Sequence, residues 1–104
     1  MAHITGGGIQ DNLNRILPSA WDASIDLSKI QVPEVFRIIR NQGNVPDSDM
    51  LRTFNMGVGL ILVCANDAVD DIISHLSNRQ CQSYIIGEIR EGSKRVRFHS
   101  ELKW

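Results

Sequence analysis

Three consecutive glycines, Gly6-Gly7-Gly8, stand directly before a run whose apolar residues recur at Ile9, Leu13, Ile16 and Leu17. That spacing marks one face of an α-helix, and Pro18 closes it. The glycines therefore force a bend between a short strand end at Ala2–Thr5 and this helix, because only residues without a Cβ turn so freely in succession.

The chain then alternates between two periods. Trp21, Ala23, Ile25 and Leu27 alternate with Asp22, Ser24 and Asp26, which predicts a half-buried strand over residues 20–27. Pro33 and Glu34 open a second helix with an apolar face of Val35, Phe36, Ile38 and Ile39, stopped at Gly43. Asp47 or Ser48 caps a short third helix through Met50, Leu51 and Phe54. The continuous run Val58–Val63 predicts a strand covered on both faces. A fourth helix begins at Asn66 or Asp67, with Val69, Ile72, Ile73 and Leu76 as its stripe. Residues 83–89 predict a strand in which Gly87 marks a bulge or a close approach, and residues 95–99 a last strand, its hairpin partner. The order β-α-β-α-α-β-α-β-β predicts an α+β fold, a mixed sheet layered with helices.

With 104 residues, 42% of them hydrophobic, the chain forms one modest core and one domain. A net charge of −1 argues against a general nucleic-acid binder and gives no electrostatic reason to attach to a membrane. No stretch approaches the ~18 apolar residues of a membrane span, and residues 1–5 lack a secretory signal, so a soluble cytoplasmic protein is expected. Cys64 and Cys81 are expected to be reduced packing residues, and His3, His75 and His99 are too scattered for a metal site. Lys94, Arg95 and Arg97 read as an exposed basic hairpin.

Two segments carry possible chemistry. In His3-Ile4-Thr5-Gly6-Gly7-Gly8, glycine backbone N–H groups and the following helix start suit a phosphate, with Thr5 as a further donor. The spacing is neither a Walker loop nor a dinucleotide fingerprint, and a bare turn that starts a helix explains the glycines equally. Arg52-Thr53-Phe54-Asn55-Met56-Gly57 places a cation, a hydroxyl and an amide before a strand, where such groups line a cleft or merely make the connection. His3 is suited to contact a phosphate or move a proton, but has no identified partner.

The segments AHITGGG, DNLNRILP, PEVFRIIRNQGNV, RTFNMGVGLILV and YIIGEI occur in the order found in aminoimidazole ribonucleotide synthetases, also called phosphoribosylformylglycinamidine cyclo-ligases. The chain resembles the later part of their C-terminal domain over nearly its whole length. The resemblance implies part of an ATP-dependent enzyme of purine synthesis, with ATP and Mg as cofactors. Its substrate, formylglycinamidine ribonucleotide, is closed to aminoimidazole ribonucleotide through phosphorylation of the formyl amide oxygen and attack of the amidine nitrogen. It assigns Thr5, Gly6, Gly7, Gly8, Asn12 and Arg15 to holding a phosphate. Thr53, Asn55 and Gly57 would line the same cleft, with His3 and Arg52 as the candidate catalytic residues. Asn14 departs from the pattern, since many relatives carry proline there.

Family members are two-domain proteins and usually dimers, whose N-terminal domain forms most of the nucleotide site. Residues 1–104 are therefore expected to be a partial C-terminal domain without that half, and inactive alone. A non-catalytic folding or dimerisation module of the same descent is the alternative, as is a related ATP-using synthetase or kinase. Sheet edges left uncovered are expected to drive self-association, making the partner a second copy or the missing half.

Overall fold

Ala23 and Ile25 of β2 (Trp21–Asp26) point into the core, while Asp22, Ser24 and Asp26 lie on the opposite face. In this computed structural model, which describes residues 1–104, β2 is the centre of a three-stranded sheet. Strand β4 (Gly87–Glu91) runs antiparallel along one side of it and β5 (Val96–His99) runs parallel along the other. The last two strands are thus not a hairpin, which corrects the sequence expectation. The reason is Asp22. Its carboxylate accepts the Ser93 N–H at 2.8 Å, the Arg95 N–H at 2.8 Å and Arg97 Nε at 2.9 Å. The turn between β4 and β5 therefore wraps over β2 and delivers β5 to its far side. Gly92 is the only residue type that fits there, because a Cβ would overlap the Asp22 carboxylate.

A second, two-stranded sheet pairs β1 (Ala2–His3) antiparallel with β3 (Leu60–Ile61). The expected strand over residues 58–63 is this short because only one strand pairs with it. Val58 and Ile61 are buried, whereas Leu60, Leu62 and Val63 are exposed, so the run is not covered on both faces. Strand β4 also begins later than expected. Gly87 is where the β2 backbone comes closest, and a Cβ there would overlap the Ser24 carbonyl.

Helix α1 (Gly8–Asn14) buries Ile9 and Leu13, as the spacing requires. It ends before Pro18 as its last turn tightens, with the Ile16 and Leu17 N–H groups donating to the Leu13 and Asn14 carbonyls at 3.1 and 3.2 Å, and Lys94 Nζ donates to the Asn14 and Leu17 carbonyls at 2.9 and 2.7 Å. In return Asn14 Nδ2 donates to the Lys94 carbonyl at 2.7 Å, a bond that proline at position 14 could not make. A cation at a helix C-terminus satisfies orphan carbonyls and opposes the dipole. Lys94 and Arg97 are therefore structural groups rather than an exposed basic hairpin.

Helix α2 (Glu34–Gly43) starts after Pro33 and ends at Asn44, whose φ of 50° makes it, not Gly43, the left-handed cap. Helix α3 (Asp47–Thr53) buries Met50 and Leu51 and has Pro46, not Asp47 or Ser48, at its N-cap. Phe36 of α2 meets Phe54 at 5.6 Å. Trp104 lies beneath Arg40, whose guanidinium is 4.7 Å from the ring centroid. Asp47 joins the two, accepting from Arg40 Nε at 2.8 Å and Trp104 Nε1 at 3.2 Å. Helix α4 (Val69–Asn78) has no buried residue, and its stripe Val69, Ile72, Ile73 and Leu76 is only half-covered in the case of each residue. Cys64 and Cys81 are free and exposed, not packing residues, because the segments that carry them lie outside the core. The α+β class stands, with one core joining both sheets to α1 and α3.

Arg97 first, then the Ser93 and Arg95 amides, hold the Asp22 carboxyl at about 2, below its ordinary 3.8. A depressed carboxyl stabilises the fold fully above its unfolded value, and this contribution is lost as pH falls toward the folded value. Urea unfolding should therefore show a loss of stability between pH 4 and pH 2 that is smaller in Asp22→Asn. That variant should also be less stable at pH 7, and an unchanged acid profile would contradict the role given to Asp22.

Candidate anion site at the glycine turn

The two segments singled out in the sequence meet at Gly8. Its φ is +70°, and a Cβ on it would overlap the Leu51 carbonyl oxygen and lie 3.0 Å from that of Phe54. Helix α1 thus begins against the end of α3. On the other side, the β1–β3 pairing continues as Ile4 N–H donates to the Gly59 carbonyl at 2.9 Å. AHITGGG and RTFNMGVG are thus neighbours through backbone contacts, and their Ile4, Met56 and Val58 side chains share one core.

Asn12 holds the turn in shape. It is buried, and its Nδ2 donates to the Thr5, Gly6 and Gly8 carbonyls at 3.3, 3.2 and 2.8 Å. Its Oδ1 accepts from Thr5 Oγ1 at 3.2 Å and from Arg15 at 3.3 Å. Pinning three carbonyls on one side leaves the turn's N–H groups for the other. Gly8 N–H is used, donating to the Thr5 carbonyl at 3.1 Å, whereas those of Gly6 and Gly7 make no hydrogen bond within the chain. Gly7 has a φ of +93°, and a Cβ there would stand 2.7 Å from the Asp11 carboxylate, which folds back over the turn. Gly6 has open space around it.

The exposed polar face of α1, Gln10, Asp11, Asn14 and Arg15, lines an open depression beside this turn. Gln10 and Asp11 were not candidates from the sequence. Their signal was the reverse of the Ile9–Leu13 stripe, since residues that alternate with a buried face at helical spacing share the outer one.

The remaining candidates divide. Asn55 Oδ1 accepts the Gly57 N–H at 2.9 Å and its carbonyl accepts the Val58 N–H at 2.9 Å, so Asn55 closes the turn after α3. Gly57, at φ +89°, is packed onto the Pro33 ring. Arg52 and Thr53 are exposed on the last turn of α3, and Arg52 has only Asp49 within ion-pair range, at 3.9 Å. His3 is exposed between buried Ala2 and Ile4, so it points away from the core, and it makes no hydrogen bond or ion pair.

Residues 1–99 match the C-terminal domain of AIR synthase related proteins. The chain belongs to this family. Among relatives of this AIR synthase C-terminal domain, the phosphoribosylformylglycinamidine cyclo-ligase of Carboxydothermus hydrogenoformans is 47% identical over 92% of the chain and 28% of its own length. That of Trichlorobacter lovleyi is 45% identical over 90% of the chain and 27% of its length. A bifunctional purine biosynthetic protein of Schizosaccharomyces pombe is 41% identical over the whole chain and 14% of its own length. The chain therefore spans little more than a quarter of the cyclo-ligases it matches. None of its helices is long and apolar enough to cross a membrane.

Gly6 and Gly8 should respond differently to alanine. Gly8→Ala should cost about 2–4 kcal/mol through strain and overlap, whereas Gly6→Ala should stay within about 0.5 kcal/mol of the parent. Asn12→Ala, which leaves the turn's carbonyls unpinned, should cost about 1–3 kcal/mol. Chemical denaturation of the three variants checks the order, and equal losses at Gly6 and Gly8 would refute the packing assignment.

Proposed function

We propose that this chain supplies the phosphate-holding part of the C-terminal domain of a cytoplasmic phosphoribosylformylglycinamidine cyclo-ligase. The reaction would be the ATP-dependent closure of formylglycinamidine ribonucleotide to aminoimidazole ribonucleotide. The single observation that carries this reading is the pair of unused N–H groups at Gly6 and Gly7, beside the motif containing Arg52. The naming of relatives as phosphoribosylformylglycinamidine cyclo-ligases supports this choice of substrate.

The fit to an anion is one of donors and charge. Backbone amides already fixed by Asn12 present themselves to phosphoryl oxygens without reorganisation, and such pre-set donors are worth most where charge develops. Arg15, held through Asn12 Oδ1, and exposed Arg52 add positive charge. Exposed His3 and Thr53 are free to meet a substrate carried by the rest of a complete enzyme, and Thr5 supports the turn through Asn12. Activation of the formyl oxygen as a phosphate ester makes it a good leaving group. The residues here serve that step by orienting the substrate and neutralising its charge.

Magnesium fits this chain less well. No three His, Cys, Asp or Glu side chains converge on one point. An ion arriving with ATP would keep phosphate and water ligands. Asp11 is the nearest carboxylate to the turn, and it must swing off Gly7 to admit an anion.

Titration of the chain with inorganic phosphate and with ribose 5-phosphate, followed by amide NMR shifts, should give saturable changes at Gly6 and Gly7. Asp11→Asn should tighten binding by about threefold to tenfold by removing a like charge, and Gly6→Ala should weaken it with the fold intact. When the remaining part of a cyclo-ligase relative is supplied as a separate polypeptide, ATP-dependent product should appear, and Arg52→Ala should lower that turnover by about a hundredfold. Unsaturable shifts spread over the whole chain would remove the anion site. Saturable shifts without reconstituted turnover would leave a binding module and remove the enzymatic reading.

A further inference from the structure

Residues 64–81 are tied to themselves and to little else. Their hydrogen bonds all lie within the segment. Ala68 N–H donates to the Ala65 carbonyl at 3.0 Å at its start, and Gln80 and Cys81 N–H donate to the Ser77 and Leu76 carbonyls at 3.0 and 2.9 Å at its end. Arg79 Nε donates to His75 Nε2 at 3.1 Å on the helix surface. No ion pair joins the segment to the rest of the chain. Buried side chains stop at Ile61 and resume at Val96. The nearest ties on either side are the pairing of Ala2 with Ile61 and the bond from Gln31 N–H to Tyr84 Oη at 3.1 Å. Helix α4, ten residues long, therefore rests on its half-covered stripe alone. A helix of that length is marginal in water without packing, so α4 opens more readily than the core.

The two cysteines stand at the two ends of this unit. Cys64 precedes the single turn Asn66–Ala68 that leads into α4, and Cys81 closes the C-terminus of α4 through its N–H. Both thiols are free and exposed. The ten residues of α4 rise about 15 Å along its axis. A disulfide needs its two Cα atoms within about 7 Å. A bond between Cys64 and Cys81 and an intact α4 therefore exclude one another.

We propose that Cys64 and Cys81 form a redox latch on α4, joining in a disulfide when the helix opens and then holding it open. The oxidant is a small-molecule disulfide of the glutathione type. One cysteine thiolate attacks a sulfur of oxidised glutathione, a mixed disulfide forms, and one glutathione leaves as its thiolate. The other cysteine thiolate then attacks the protein sulfur of the mixed disulfide and expels the second glutathione. The cysteine pair loses two electrons, oxidised glutathione gains two, and the two thiol protons end on the two glutathione thiols. Reduction by a thiol runs the same steps backward and lets α4 re-form. The latch does not rest on the anion site.

In the reduced full chain, the α4 amides should exchange hydrogen at least about a hundredfold faster than the β2 amides. Incubation with excess oxidised glutathione should give a monomer two hydrogens lighter, with Cys64 linked to Cys81 in its peptide map. Its NMR spectrum should lose the helical shifts of α4 and keep those of β2, and dithiothreitol should restore the original spectrum. Ser74 is exposed on α4, so its substitutions change helix stability without touching the core. Disulfide formation should be about fivefold faster in Ser74→Gly than in Ser74→Ala, as their helix propensities require. The proposal would be overturned by glutathione adducts that never resolve, by disulfides between chains, or by a Cys64–Cys81 bond that leaves α4 helical. Exchange of α4 at the β2 rate, or equal oxidation rates in the two Ser74 variants, would overturn it as well.

Discussion

The Leu51 carbonyl oxygen sits where a side chain at residue 8 would begin. The approach of α1 to α3 depends on that missing side chain, and the glycine turn depends on the approach. With the start of α1 seated on the end of α3, Ile9 and Leu13 reach the core beside Met50 and Met56. Asn12 is then carried inward, under the turn it pins. The pairing of β1 with β3 holds the same corner from the other side. A rigid backbone corner, rather than a cluster of charged side chains, is thus what the proposed anion site is built on.

This corner explains why a triplet of glycines was legible as a bend but not as three different residues. The sequence shows Gly6, Gly7 and Gly8 as equals. In space Gly8 is excluded from carrying a Cβ by a neighbouring backbone, Gly7 by its conformation and by Asp11, and Gly6 by neither. The second motif divides in the same way. Asn55 and Gly57 shape the turn after α3, whereas Arg52 and Thr53 project from it. A motif records architecture and chemistry together, and only neighbours far away in the chain separate them.

The element order was legible because local periodicity survives folding. Ile9 with Leu13, and Ala23 with Ile25, face inward as their spacing requires. Strand partners were not legible. The alternation of residues 95–99 suits a hairpin with β4 as well as a parallel pairing with β2, and a single carboxylate decides between them. Asp22 looked like one of three solvent-facing polar residues of its strand. Its burial follows from two amides and a guanidinium more than seventy positions away, at Ser93, Arg95 and Arg97. The exposure of Leu60, Leu62 and Val63 was hidden for the opposite reason, since an apolar run carries no mark of whether anything covers it.

The reciprocal bonds between Asn14 and Lys94 set an order on folding. The terminal carbonyl of α1 waits for a side chain eighty residues further along the chain. The bonds from Asp22 to Arg95 and Arg97 wait as long. Contacts this distant in sequence form slowly, because a long loop must close before they contribute. The far end of α1 is therefore completed only when the turn between β4 and β5 has docked, whereas the glycine corner at its start is pinned locally by Asn12.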